Sequence, residues 1–297
     1  MMNIQKLTQI ILVSISILIL NGCVSKDDLK KPVQDYLKTN YGFKKEFQII
    51  TAENNFLVDD NYDTHLRIDK PYSAYPSLTF EKETHQDKSI IYKFVQESSD
   101  DFYLEMFKGA YIEQHPEVIH TINKIIKKYG LVKYPQKVVI EDGEPAYMFP
   151  FDNIELNMVY SQELLEDFKR TQKIDTNALL PTLKPSDPRR ENYNSRYIGV
   201  VNFLFEFDMN KNKHPIPKAK DLIVDFQQSG VLTKGIYNID MSVDDSNPDH
   251  FVGWEYNNVA LFEVDENGKY TIIATPKYDD LDNSYFYGDY VAKKIKQ

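Results

Sequence analysis

An α+β fold with a mostly antiparallel sheet, several hairpins and several packing helices is what the sequence predicts, and three observations carry that prediction. Apolar segments flank polar turns, as in Val138-Val139-Ile140 and Ala146-Tyr147-Met148-Phe149 around Asp142-Gly143, a dipeptide that favours the tight turn between antiparallel strands. Stretches with apolar residues at helical spacing end in glycine, the clearest running from Pro116 to Gly130. Aromatic residues, 21 Tyr and 17 Phe beside one Trp, make up 13% of the chain, which suits strands and supplies large buried areas. Helices alternating with hairpins give a layered α+β class.

The chain opens with one positive charge, Lys6, then an apolar run from Ile10 to Leu20, then Gly22 directly before Cys23, the only cysteine. Charged region, short hydrophobic core and small-residue cleavage site in that order read as a secretory signal. The run is too short to span a bilayer, which takes about 20 apolar residues. Leu20-Asn21-Gly22-Cys23 resembles the lipobox of bacterial lipoproteins, in which a branched apolar residue stands three places before an obligatory cysteine and a small residue one place before it; Asn21 stands where Ala or Ser is usual. The resemblance implies thioether attachment of diacylglycerol to Cys23, cleavage after Gly22 so that residues 1–22 are a signal peptide, and a mature chain beginning at the lipidated cysteine. Two acyl chains anchor stably where one binds reversibly, each buried CH₂ contributing ~0.8 kcal/mol. The competing reading is an incidental thiol at the end of an ordinary signal peptide.

Without the leader about 275 residues remain, enough for one large domain or two small ones. The net charge is −10, and loss of Lys6 takes it to −11. Nucleic-acid binders are basic, so nucleic acid is excluded as an expected partner. With Cys23 lipidated no thiol is left, which excludes a disulfide framework, a cysteine nucleophile and a thiolate metal site.

In chain order, residues 23–31 read as a tether and the globular region as 32–297. Pro32 suits a helix first turn, with Leu29, Val33, Tyr36 and Leu37 on one stripe and Gly42 as left-handed cap. Phe47 to Thr51 follows as a strand. Leu78-Thr79-Phe80-Glu81 and Ile90-Ile91-Tyr92-Lys93-Phe94 form a hairpin around His85-Gln86-Asp87-Lys88. Ser98 and Ser99 offer N-caps to a helix with Tyr103, Met106, Phe107 and Ala110 inward, Asp100 and Asp101 at its positive end. Pro116 starts the next, whose stripe is Val118, Ile122, Ile125, Ile126 and Tyr129. Ser161 caps a short helix through Leu164, Leu165 and Phe168. Residues 171–196 lose periodicity and carry Pro181, Pro185 and Pro188, which makes them the one candidate boundary between two subdomains.

Beyond it, Tyr197 to Phe207 is apolar on both faces at its centre and reads as a strand interior to a sheet. A helix from about Pro217 turns Ala219, Leu222, Ile223 and Phe226 inward, with Gly230 as cap. Tyr237, Ile239, Met241 and Val243 alternate with polar residues, and a last hairpin joins Val259–Val264 to Tyr270–Ala274 across Asp265-Glu266-Asn267-Gly268. A helix ending in glycine, then an apolar residue, then a strand recurs at Gly42-Phe43, Gly130-Leu131 and Gly230-Val231. Common helix capping and a weak internal repeat both account for it.

The residues hold little chemistry at recognisable spacing. Neither His-Glu-x-x-His, a Gly-x-Ser-x-Gly elbow, a phosphate loop nor a dinucleotide fingerprint is present. His115 and His120 are five apart across Pro116, off a common helical face, and the other histidines (His65, His85, His214, His250) stand singly. Three acidic clusters, 59–63, 244–249 and 279–284, lack the Gly and Glu of a helix-flanked calcium loop and read as solvated turns. No catalytic residue, metal ligand or cofactor is expected. Tyr285-Phe286-Tyr287-Gly288-Asp289-Tyr290 and Trp254 read either as edge-strand packing or as surface for stacking a sugar or peptide.

The lipobox, the Lys-, Asn- and Tyr-rich composition and the segment Thr233-Lys234-Gly235-Ile236-Tyr237 resemble the uncharacterised surface lipoproteins of staphylococci and bacilli. That resemblance implies no catalytic residues, and Val24 after the cysteine gives no inner-membrane retention signal of the Gram-negative type. The expectation is a non-enzymatic extracytoplasmic lipoprotein held to the cell membrane by lipid on Cys23. The alternatives are a solute- or glycan-binding receptor using the Tyr-rich patch and residues 171–196, and a hydrolase with two facing carboxylates.

Overall fold

The computed structural model describes residues 25–54, 61–87, 89–97, 102–133, 139–141, 144–146, 153–159, 161–183, 198–244 and 254–274. They belong to two compact units interleaved in sequence. The first takes the chain to Glu105 and again from Glu166 to Gln172; the second holds Met106–Leu165 and everything from Lys173. The third crossing, at Gln172/Lys173, falls inside the stretch 171–196 singled out above.

The first unit begins with helix α1, Lys26–Tyr41, six residues before the start expected at Pro32. The Ser25 side chain accepts the N–H of Asp27, and Asp27 and Asp28 occupy the positive end of the helix. Leu29 is already fully buried in line with Val33, Leu37 and Tyr41. Cap, acids and buried Leu29 together outweigh the cost of an interior proline, about 3 kcal/mol, so residues 26–31 are helix rather than extended tether. Gly42 stops the helix at φ 64°, its N–H returning to the Leu37 and Lys38 carbonyls.

Strands β1 (Gln48–Asn54), β2 (Asn61–Arg67), β3 (Ser77–Thr84) and β4 (Ile90–Glu97) then form an antiparallel sheet in the order 1-2-3-4. The β3/β4 hairpin lies where the turn chemistry places it. In β2, Tyr62, Thr64 and Leu66 point inward by simple alternation. Helix α2 (Phe102–Gln114) starts in this unit, where Phe102 meets Tyr41 at 4.5 Å and Phe43 at 5.3 Å between ring centres. Helix α4 (Gln162–Thr171) supplies Phe168, 5.4 Å from Tyr103. Beyond it Gln172 donates its side-chain N–H to the Tyr41 carbonyl at 2.8 Å, tying the two helix ends together. Expected caps Ser98, Ser99, Asp100 and Asp101 lie outside the described residues.

In the second unit, helix α3 (Pro116–Tyr129) buries Val118, Ile122, Ile125 and Ile126 as its stripe predicts. The short strands β5 (Val139–Glu141) and β6 (Glu144–Ala146) pair across Asp142-Gly143, themselves outside the described residues. Part of the stretch read as structureless is ordered: α5 (Thr176–Leu179) is capped by Asp175, a 3₁₀ turn follows over Leu180–Thr182, and Leu180 and Leu183 are buried. Turn-forming Asp and two apolar anchors override the lack of periodicity there.

The main sheet runs β11-β10-β9-β8-β7, from β7 (Ile154–Val159), β8 (Ile198–Asp208), β9 (Gly235–Asp244), β10 (Trp254–Val264) and β11 (Tyr270–Ala274). All its pairs are antiparallel except β8 with β9, which run parallel because helix α6 (Ala219–Ser229) carries the chain back between them. β8 is interior, as its two-sided apolar run predicts, and Val200 to Phe203 are buried on both faces. Phe203 stacks on Phe226 of α6 at 4.5 Å, then Tyr237, Phe262 and Tyr270 follow at 5.7–5.8 Å steps across β9, β10 and β11. Each such ring buried contributes about 1.5–3 kcal/mol. Helices with mostly antiparallel sheets make the fold α+β, as expected.

Candidate functional site

Helix α3 ends at Gly130, φ 65°, and the chain leaves through Leu131 and Val132, whose N–H bonds the Glu206 carbonyl of β8 at 2.9 Å. β8 itself ends in Asp208-Met209-Asn210-Lys211-Asn212, and the two polar ends face across a cleft of about 510 Å³ lined by residues 130–132, Asp208 and residues 211–214. The Asp208 carboxylate accepts the N–H groups of Asn210 (2.9 Å) and Lys211 (3.1 Å), a side-chain turn. Burial alone would raise its pKa, but those N–H groups and the Lys211 ammonium at 2.8 Å hold it below the usual carboxylate value. Asn212 donates to the carbonyls of Tyr129 and Gly130, both at 2.8 Å, and its Oδ1 accepts the N–H of His214 at 2.9 Å. Both polar atoms of the Asn212 side chain are thus engaged, Nδ2 in bracing the end of α3 and Oδ1 in holding its own loop. Among the described residues the lining contains no Tyr, Phe or Trp.

A second polar group is buried in the same unit. The single hydroxyl proton of Thr176 goes to Gln114 Oε1 at 2.6 Å, so its oxygen receives the hydrogen bond from His115 Nε2 at 3.1 Å. His115 therefore carries its proton on Nε2. Burial lowers its pKa, against the raising influence of Glu117, 3.9 Å from Nδ1. The Tyr111 ring lies 4.7 Å from that imidazole, and burial pushes its hydroxyl well above the ordinary range. Tyr111 is hydrogen-bonded to Tyr237, whose hydroxyl donates to the Thr233 carbonyl at 2.9 Å and is pushed up by burial to about 12. These groups stay neutral near pH 7 and hold α2, α3 and β9 together.

Neighbouring strands β8 and β9 place Asn202 opposite Asn238 on the face away from the aromatic ladder. Both are buried, and Asn238 donates to Asp240 at 2.7 Å while its own carbonyl oxygen accepts no hydrogen bond among the described residues. This is a polar seam that alternation did not announce.

The residues singled out from the sequence do not converge. His65 bonds Ser77 at 2.6 Å within the first unit, His120 is exposed on α3, and His214 lines the cleft. Asp63 lies in β2 rather than in a turn and accepts the Thr79 hydroxyl at 2.6 Å. Buried carboxylates are each answered locally, Glu105 by the N–H of Tyr75 at 3.1 Å and Asp208 as above. Among the described residues no group of three or more His, Cys, Asp or Glu is placed to hold a metal ion, and no helix is long and apolar enough to cross a membrane. Cys23, His250, the cluster 279–284 and the Tyr-rich patch 285–290 lie outside the described residues, as does the side chain of Trp254. Asp208, Asn212 and the Gln114–His115–Thr176 group went unread in the sequence; an Asp-x-Asn-x-Asn run directly after a strand was the available signal for the first two. Compared with protein-family models, with curated proteins and with solved structures, the chain has no match.

Proposed function

We propose that the protein is a lipoprotein of the extracytoplasmic face of the cell membrane, anchored by diacylglycerol on Cys23, with a body that binds or supports rather than catalyses. The observation that carries this reading is the sole cysteine at the end of Leu20-Asn21-Gly22-Cys23, directly after a hydrophobic core too short to span. Among the described residues, helix capping begins at Ser25 and the first buried side chain is Leu29, both after Cys23 in the chain. For the body, support comes from buried polar side chains such as Thr64, His115 and Thr176, which bond to one another and to nearby backbone as packing groups do.

Incorporation of radiolabelled palmitate into the wild type and Cys23→Ala in a bacterial host tests this, with the mature N-terminus read by mass spectrometry. The expected result is label in the wild type only and a mature chain starting at a diacylglyceryl cysteine. A free Cys23 thiol, or a mature chain retaining residues upstream of position 23, overturns the proposal.

A further inference from the structure

Four large apolar side chains stand exposed among the described residues, and three of them are on one strand: Ile90 (50%), Ile91 (49%) and Val95 (44%) of β4. Neighbours along a strand face opposite ways, so Ile90 and Ile91 give the strand end an apolar surface on both faces. β2 begins at Asn61 opposite Glu81, whereas β3 and β4 remain paired as far as Thr84 with Ile90. The last three pairs, Lys82 with Tyr92, Glu83 with Ile91 and Thr84 with Ile90, run on past the described part of β2 and form the finger of the hairpin. Its tip is well made: the His85 N–H reaches the Ser89 carbonyl at 2.9 Å, and the Asp87 carboxylate accepts both the N–H (2.9 Å) and the hydroxyl (2.6 Å) of Ser89.

The hairpin packs on α1, whose Lys26 at the helix start donates to the Ile50 carbonyl of β1. The Tyr36 ring of α1 stacks on Phe94 of β4 at 3.9 Å. Tyr92 is held above its ordinary pKa by burial and by the nearby charge of Asp28 in the first turn of α1. Cys23 lies three residues before Lys26, at most about 11 Å of chain. Charge does not oppose a membrane contact here: between Glu81 and Lys93 three acids (Glu81, Glu83, Asp87) meet three lysines (Lys82, Lys88, Lys93), in a chain whose net charge is −10.

We propose that the tip of the β3/β4 hairpin enters the headgroup region of the same lipid leaflet that holds the acyl chains of Cys23, with Ile90 and Ile91 as the inserted side chains. This rests on the lipoprotein reading. Branched apolar side chains gain from the acyl boundary while Tyr92 and the lysines beside them reach back to the headgroups. A lipid on a short leash leaves the body free to swivel, and a second contact beside it holds the first unit in one orientation.

The test uses the full chain, processed and lipidated in a bacterial host and reconstituted in phosphatidylcholine–phosphatidylglycerol vesicles. An environment-sensitive fluorophore is placed at Ile91→Cys, and in a second protein at Thr39→Cys, exposed in the last turn of α1 and about 20 Å along the helix from its start. Nitroxide-bearing lipids are expected to quench the label at 91 several-fold more than the label at 39, with a blue shift on passing from detergent to vesicles. Equal quenching at the two positions, or no difference between detergent and vesicles, overturns the proposal. So does self-quenching between labels at 91 that survives in detergent, which would assign the tip to a second copy. The intact mass of the same samples separates the two readings: a diacylglyceryl Cys23 with an unquenched tip defeats the hairpin contact and leaves the anchor standing, whereas a free thiol defeats both.

Discussion

The sheet of the first unit is a meander in which each strand neighbours the one before it, and it ends in an edge strand with Ile90, Ile91 and Val95 in the open. In the sheet of the second unit a helix separates β8 from its parallel partner β9, and the strand so enclosed is buried on both sides. Both sheets use the same β-branched and aromatic residues. What differs is the connection, because a hairpin leaves one face and one edge to solvent while a crossover helix covers a face and fixes a strand inside. Apolar surface left open in the first unit is available for contact with something else; in the second, Ile272 of the edge strand β11 is the one large apolar side chain as exposed among the described residues, and β8 is consumed by the core.

Paired truncations break or sharpen that contrast most strongly. Phe203→Ala removes the ring between Phe226 and Tyr237 in a site with no exposure, and is expected to lower stability by about 3–5 kcal/mol. Ile90→Ala, at an exposed site, is expected to change it by less than about 0.5 kcal/mol. Urea denaturation followed by circular dichroism reads both. Similar losses for the two would mean that the finger of the first unit is as much a part of a core as β8.

Three glycines with the same backbone angle give a finer comparison. Gly42, Gly130 and Gly230 cap helices at φ 64°, 65° and 64°, so Ala at each incurs the same left-handed penalty, about 1–2 kcal/mol. Their surroundings differ. A Cβ at Gly42 would lie 2.8 Å from the Lys169 carbonyl oxygen, at Gly130 3.0 Å from Asn212 Oδ1, and at Gly230 within 4 Å of nothing. The expected order of destabilisation is Gly42→Ala, then Gly130→Ala, then Gly230→Ala, with only the last near the bare penalty. Equal losses at all three would show that the Lys169 and Asn212 contacts yield without cost.

Those caps also show what a sequence makes legible. A left-handed residue after an amphipathic stretch needs glycine, so the ends of α1, α3 and α6 could be read directly, and Asp-Gly and Asn-Gly turns gave the hairpins in the same way. Starts of helices were harder. Pro32 looked like a first-turn residue, but the Ser25 cap and the burial of Leu29 set the start earlier, and only packing weighs those terms against a proline. The return of Glu166–Gln172 to the first unit, the parallel β8/β9 pair and the buried Asn202 and Asn238 depend on partners far along the chain, which periodicity does not report. The expectation for Cys23 rests on four consecutive residues of the sequence alone. The brace of Asp208 and Asn212 was not legible there, because its meaning lies in carbonyls more than eighty residues upstream.

The smallest effect expected is a dependence on pH within the second unit. The His115 pKa is depressed in the folded chain, chiefly by burial, while in the unfolded chain it returns to its ordinary value. Between those two values the unfolded chain binds a proton that the folded chain refuses, so stability from this group is full above about pH 6.5 and falls as pH drops toward the folded pKa. His115→Gln keeps a donor toward Thr176 but cannot titrate. The difference in urea midpoint, wild type minus His115→Gln, is therefore expected to shrink between about pH 7.5 and pH 5.5, other groups cancelling in the subtraction. A constant difference would mean that Glu117, whose charge raises the pKa of the same ring, fully offsets the burial, and that the imidazole is as free to take a proton in the folded chain as in the unfolded one.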